Sequence, residues 1–213
     1  MEKKRILIYG DSNTHGFRVS DGLRFGPHQR WTGICQDLIA DRAEILNEGL
    51  NGRMTCFDEE GMAFRNGLTY IEPCIRTHLP LDMVCVMLGS NDLKLPGQTA
   101  ETIAAGAARV LDKARQVNLS KYPENTCRYV LMAPIVVSGR LADGPFGWEF
   151  CDDAPEISKG FRQAFDEEAR RCGFLYFDAS AHAQPGTADG LHLDEENHRR
   201  LGEAFAAWLA QWL

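Results

Sequence analysis

At 213 residues, with 44% hydrophobic and 25% charged side chains, the chain has the size and balance of one globular α/β domain with a single large core. Its formal net charge of −7 argues against a nucleic-acid or anionic-membrane partner. No apolar run approaches the roughly 18 residues that a membrane span needs.

The charged lead-in Met1-Glu2-Lys3-Lys4-Arg5 runs into a short apolar stretch that ends at Gly10-Asp11. That stretch is too short for a signal-peptide core, so a cytoplasmic location is expected. The seven cysteines are odd in number and none form a CxxC pair, so the expectation is reduced thiols, with neither a disulfide framework nor a zinc site.

The first predicted strand covers 5–9 and delivers Gly10-Asp11-Ser12 into a polar loop. Helical spacing over 31–41 puts Trp31, Ile34, Cys35 and Leu38 on one face. A short strand over 43–47 leads to a loop over 48–55 that holds Gly49 and Gly52. The stretch 59–78 reads as helix in two parts, divided near Asn66-Gly67 and Pro73. The segment 82–88 is apolar on both alternating faces, the mark of a central parallel strand covered on each side, and it too ends at a glycine, Gly89. A helix over 99–117 and a strand over 128–133 follow, then an irregular segment over 134–155. Helix over 157–172, strand over 174–177 and helix over 194–213 complete the chain. Strands alternating with helices imply a parallel sheet between two helical layers, and five strands fit the flavodoxin-like order 2-1-3-4-5. No linker or internal repeat divides the sequence, so 1–213 is expected to be a single domain.

Four loops carry residues suited to acyl chemistry. Ser12 follows the first strand at the edge where ligands bind in such sheets, although an Asp-Ser-Asn turn or helix cap would look the same. Asp189-Gly190-Leu191-His192 places an acid three residues before a base that it could orient, or is simply a turn before a helix. Asn91, in Gly89-Ser90-Asn91-Asp92, has an amide that could donate to an oxyanion. Gly52 could offer a bare backbone N–H where a Cβ would crowd a substrate. Asp11 and Asp92 are expected to hold these loops by accepting N–H bonds. Arg53 reads as a structural ion pair, with substrate contact as the alternative. His15 is a rival base without a nearby acid. His28, His78, His182 and His198 share no metal-ligand spacing. Phe146, Trp148 and Phe150 could line a pocket or a subunit interface, or pack on themselves.

In combination, Gly10-Asp11-Ser12, Gly52, Gly89-Ser90-Asn91-Asp92 and Asp189-Gly190-Leu191-His192 resemble the four blocks of the SGNH (GDSL-type) hydrolases. Arg30-Trp31-Thr32-Gly33, Glu48-Gly49-Leu50 and Thr77-His78-Leu79-Pro80-Leu81-Asp82 resemble the branch of small bacterial arylesterases with acyltransferase activity. Asn13 and His15 depart from it, standing where relatives often have Leu and Trp. The resemblance implies a three-layer α/β/α SGNH fold and a serine esterase for small carboxylic esters. Ser12 would be nucleophile, His192 base and Asp189 its orienter, with the Ser12 and Gly52 N–H groups and Asn91 as oxyanion hole. It implies no cofactor or metal, and a homo-oligomer. Alternatives are a carbohydrate O-acetylesterase, a lysophospholipase-type hydrolase, or a non-catalytic flavodoxin-like binder.

Overall fold

The computed structural model describes residues 3–124 and 126–213. Met1 and Glu2 of the charged lead-in lie outside the described residues. Five strands form one parallel sheet: β1 (Lys4–Gly10), β2 (Ala43–Gly49), β3 (Met83–Met87), β4 (Arg128–Ala133) and β5 (Leu175–Asp178). Their order is β2-β1-β3-β4-β5, as the alternation of elements predicts. Register aligns the carboxyl ends: Gly10 pairs with Gly49 and with Met87, and Ala133 with Asp178.

Alternate residues of each central strand feed opposite cores, because successive side chains point to opposite faces. Leu7, Tyr9, Val84, Val86 and Leu131 pack under α3 (Gly67–His78), α4 (Ala100–Lys121) and α6 (Phe161–Cys172). Ile6, Ile8, Cys85, Val130 and Phe177 pack under α2 (Trp31–Leu38) and α7 (Glu195–Leu209). Two short helices, α1 (Ser12–His15) and α5 (Ala154–Lys159), complete the set.

Several boundaries differ from the sequence expectation. The segment after β1 is the helix α1 rather than a polar loop, because Asp11 caps it by accepting the Asn13 N–H. The α2 helix stops at Leu38, which is exposed, and Ile39 takes the buried place expected for Leu38. Pro73 does not divide α3: it lies inside the helix, whose buried Ile71, Cys74 and Ile75 hold it on the sheet. Asn66 starts that helix by accepting from Leu68 N and Thr69 N. The single helix expected over 157–172 is two, α5 and α6, which meet at Gly160. At the chain end α7 closes at Leu209, and Trp212 packs on the core from beyond the helix.

Candidate active site

Parallel topology brings four loops to the carboxyl ends of β1, β2 and β3, each set by a local rule. Gly10 must be glycine, since a Cβ there would collide with Thr14 and sit 3.0 Å from the Met87 carbonyl. The chain can therefore turn at once into α1, with Ser12 as its first residue. Gly52 adopts φ +76°, and a Cβ there would meet the Arg65 guanidinium. The Arg53 N–H closes this turn on Leu50 O at 3.1 Å.

His192 Nε2 lies 2.9 Å from Ser12 Oγ, and His192 Nδ1 lies 2.6 Å from Asp189 Oδ2. All three side chains are buried. The second Asp189 oxygen accepts the Leu191 and His192 N–H groups at 2.9 and 3.0 Å, which folds the Asp189–His192 loop on itself. Burial alone would raise Asp189. The His192 hydrogen bond and charge, with those N–H bonds, outweigh it and hold the carboxyl below its ordinary value. Asp189 is therefore a carboxylate at neutral pH, able to fix the imidazole and stabilise it when protonated.

Asn91 Nδ2 donates to Arg53 O at 3.2 Å. That bond uses one amide hydrogen and leaves the other for a ligand. Among the described residues, neither the Ser12 nor the Gly52 N–H has a protein acceptor. Ser12, Gly52, Asn91 and His192 all line one cavity of about 230 Å³. Three donors and a hydrogen-bonded serine thus face the same space, which is the requirement for holding a tetrahedral oxyanion.

The buried carboxylates brace this arrangement. Asp92 accepts the Thr55 N–H and the Thr55 hydroxyl, the latter at 2.5 Å. Burial pushes Asp92 up to about 7 against those bonds, and Asp11 up to about 6 against the bond from Asn13 N. Both hold loops by accepting N–H bonds, as the sequence suggests. Among the described residues Arg53 has no carboxylate partner and does not form the expected ion pair. It is buried, donates to the Gly10 and Glu48 carbonyls, and lies 3.9 Å from the Tyr9 ring centroid.

Asn13 is a brace that sequence reasoning missed. Its amide donates to Leu191 O at 3.2 Å and accepts the Leu193 N–H at 2.8 Å, tying the nucleophile helix to the His192 loop. Its own carbonyl accepts the Trp31 indole N–H. His15 does not reach Ser12. It contacts Gly49 O at 3.4 Å, and burial, then the Arg24 charge, lowers its pKa.

Phe146 and Phe150 line the cavity, whereas Trp148 is 84% exposed. Phe17 and Phe146 flank His192 at 4.7 and 5.5 Å between ring centroids. Arg65, Lys94 and Glu149 complete a charged wall, with Lys94 paired to Glu149 at 2.6 Å and Arg65 to Glu59 at 2.7 Å. Sequence reasoning missed this wall. Only Lys94, three residues beyond Asn91 in the same loop, carried a signal.

Glu48, Cys74 and His78 bring potential metal-ligand atoms within 4.8 Å of one another, a grouping invisible in sequence spacing because Glu48 arrives from β2. Burial pushes the Cys74 thiol up to about 12. Glu48 instead bonds His78 at 2.7 Å, and none of the three lines the cavity.

Residues 8–200 match the model of the GDSL-like lipase/acylhydrolase family. The chain belongs to that family. Its members hydrolyse carboxylic esters, and the fold is theirs throughout. An aryl esterase of M. smegmatis is 31% identical, with TM-score 0.88, over 99% of this chain and 100% of that one. A carbohydrate acetylesterase from Sinorhizobium meliloti is 30% identical, with TM-score 0.91, over the same shares of the two chains. Comparison with curated protein sequences finds no match. Membership in an acylhydrolase family overturns the flavodoxin-like binder, an alternative that rested on fold alone.

Proposed function

We propose that this acylhydrolase is a serine esterase for short-chain carboxylic esters, working through an acyl-serine on one catalytic domain, 1–213. The observation that carries this is the continuous Asp189–His192–Ser12 hydrogen-bond chain, 2.6 then 2.9 Å, opening into a cavity lined by Gly52 and Asn91. His192 Nε2 takes the Ser12 proton as Oγ attacks the ester carbonyl. The Ser12 and Gly52 N–H groups and the Asn91 amide hold the oxyanion. Collapse expels the alcohol, which takes its proton from His192. Water, or a second alcohol in an acyl transfer, then resolves the acyl-enzyme by the same proton path.

The leaving alcohol departs beside His192, whose ring is flanked by Phe17 and Phe146. That setting favours an aryl or other flat alcohol, and the cavity of about 230 Å³ favours a small acyl group. The wall of Arg65, Lys94 and Glu149 supports a second reading, a sugar O-acetylesterase, because it offers fixed donors and acceptors to hydroxyl groups. A substrate panel varying acyl and alcohol independently separates the two. The homo-oligomer that the family resemblance implies is measured by sedimentation. The expected cytoplasmic location is in keeping with seven free cysteines, and cell fractionation tests it.

Ser12→Ala is expected to lose at least about a thousandfold in kcat on p-nitrophenyl acetate. An organophosphate is expected to add its mass to Ser12. Near-normal turnover by the variant would overturn the assignment.

A further inference from the structure

Arg53 is a buried cation without a carboxylate partner among the described residues, and its Nε has no acceptor. A charge is costly to bury in that state, so what the guanidinium does touch is informative. Nη1 donates to the Gly10 carbonyl at 2.9 Å and to the Glu48 carbonyl. Gly10 ends β1, two residues before Ser12, and Glu48 precedes the turn that carries Gly52. The guanidinium carbon lies 3.9 Å from the Tyr9 ring centroid and 5.6 Å from that of Tyr70. Ring faces partly replace the missing counter-charge. The backbone of the same residue accepts Asn91 Nδ2 and closes the Gly52 turn on Leu50.

From these contacts we infer that Arg53 is the positioning residue for the oxyanion hole: its side chain ties the strand ends before Ser12 and Gly52 together, and its backbone holds Asn91 and the Gly52 turn against them. It does not line the cavity. It acts through its neighbours. One guanidinium nitrogen, Nη1, spans two carbonyls from different strands while the planar group lies over the Tyr9 ring. A shift of a few tenths of an ångström between the donors costs transition-state binding more than substrate binding, because the oxyanion is present only in the transition state.

The inference rests on the esterase reading above, so Ser12→Ala is assayed beside it. Arg53→Met keeps the apolar stem on Tyr9 but releases both carbonyls. It is expected to lose at least about tenfold in kcat with KM within about threefold, and Arg53→Lys to recover part of the loss. In an Asn91→Ala background Arg53→Met should cost a smaller factor than in the parent, because one of the three donors it aligns is already gone. A residue that only stabilised the fold would lower the melting temperature, leave kcat of the folded enzyme intact, and cost the same factor in both backgrounds. Either result overturns the inference. If circular dichroism finds Arg53→Met unfolded, Arg53→Lys carries the same cycle with Asn91→Ala, and equal losses in the two backgrounds are again fatal. Retained turnover by Ser12→Ala would instead sink the esterase reading itself.

Discussion

Asn91 shows how much can depend on one amide. Its side chain gives one hydrogen to Arg53 O and keeps the other for the cavity, so its orientation is set before any substrate arrives. Asn91→Ala removes a preorganised donor without opening the core, and the stacked strands below it do not depend on it. The expected outcome is a loss of kcat of about a hundred- to a thousandfold, with the melting temperature little changed. Steady-state kinetics beside a thermal melt checks both halves, and a large drop in melting temperature would recast Asn91 as structural. Asn13 is the opposite case, a polar residue whose amide both donates to and accepts from the His192 loop. Asn13→Ala leaves the buried Leu191 carbonyl and Leu193 N–H without partners, at about 1–3 kcal/mol for each. Urea unfolding should register that loss. Activity should fall as well, since the freed segment carries His192.

The elements divide by how local their causes are. Strands were legible because apolar runs that end at glycine need no partner to be recognised: 82–88 reads as a doubly covered strand from its composition alone, and β3 with both cores is what folds. Helix ends were not, because tertiary contacts decide them. Pro73 signals a break, yet burial of Ile71, Cys74 and Ile75 outweighs one lost hydrogen bond. Leu38 fits a helical stripe, yet the helix ends there and Ile39 turns inward instead. The candidate site followed the same split. Ser12, Gly52 and Asn91 were legible because each follows a strand in a recognisable block, and Asp189 and His192 because they share one block just before α7; topology makes them neighbours. The charged wall was not legible. Arg65 precedes α3, Lys94 follows β3 and Glu149 lies in the irregular segment over 134–155, and nothing in their own sequence neighbourhoods states that they meet.

A sheet that gathers its loops at one edge also gathers their charges, and the molecule carries two carboxyls, Asp11 and Asp92, sealed beneath its candidate site. Their effect belongs to the global folding equilibrium. Burial holds the proton on Asp92 up to about pH 7 in the folded chain, whereas the unfolded chain gives it up near its ordinary value of 3.8. Asp11, pushed up to about 6, behaves in the same direction over a narrower range. Between those limits the folded state binds more protons than the unfolded state, so stability falls as pH rises. This is the reverse of the contribution from Asp189, whose pKa is lowered and whose stabilisation is lost only as pH falls through its folded value. The two effects therefore occupy different pH windows, and the near-neutral window belongs to the raised pair. For Asp92 alone the loss from pH 5 to pH 7 amounts to about 2 kcal/mol. Asp92→Asn keeps an oxygen for the Thr55 N–H and offers a donor to the Thr55 hydroxyl, so the loop retains its anchor while the titration disappears. Chemical denaturation at several pH values should show a falling stability in the parent and a flatter profile in the variant. Parallel profiles would mean that Asp92 is already ionised in the folded chain at pH 5, and that the charge is carried by the Thr55 bonds alone.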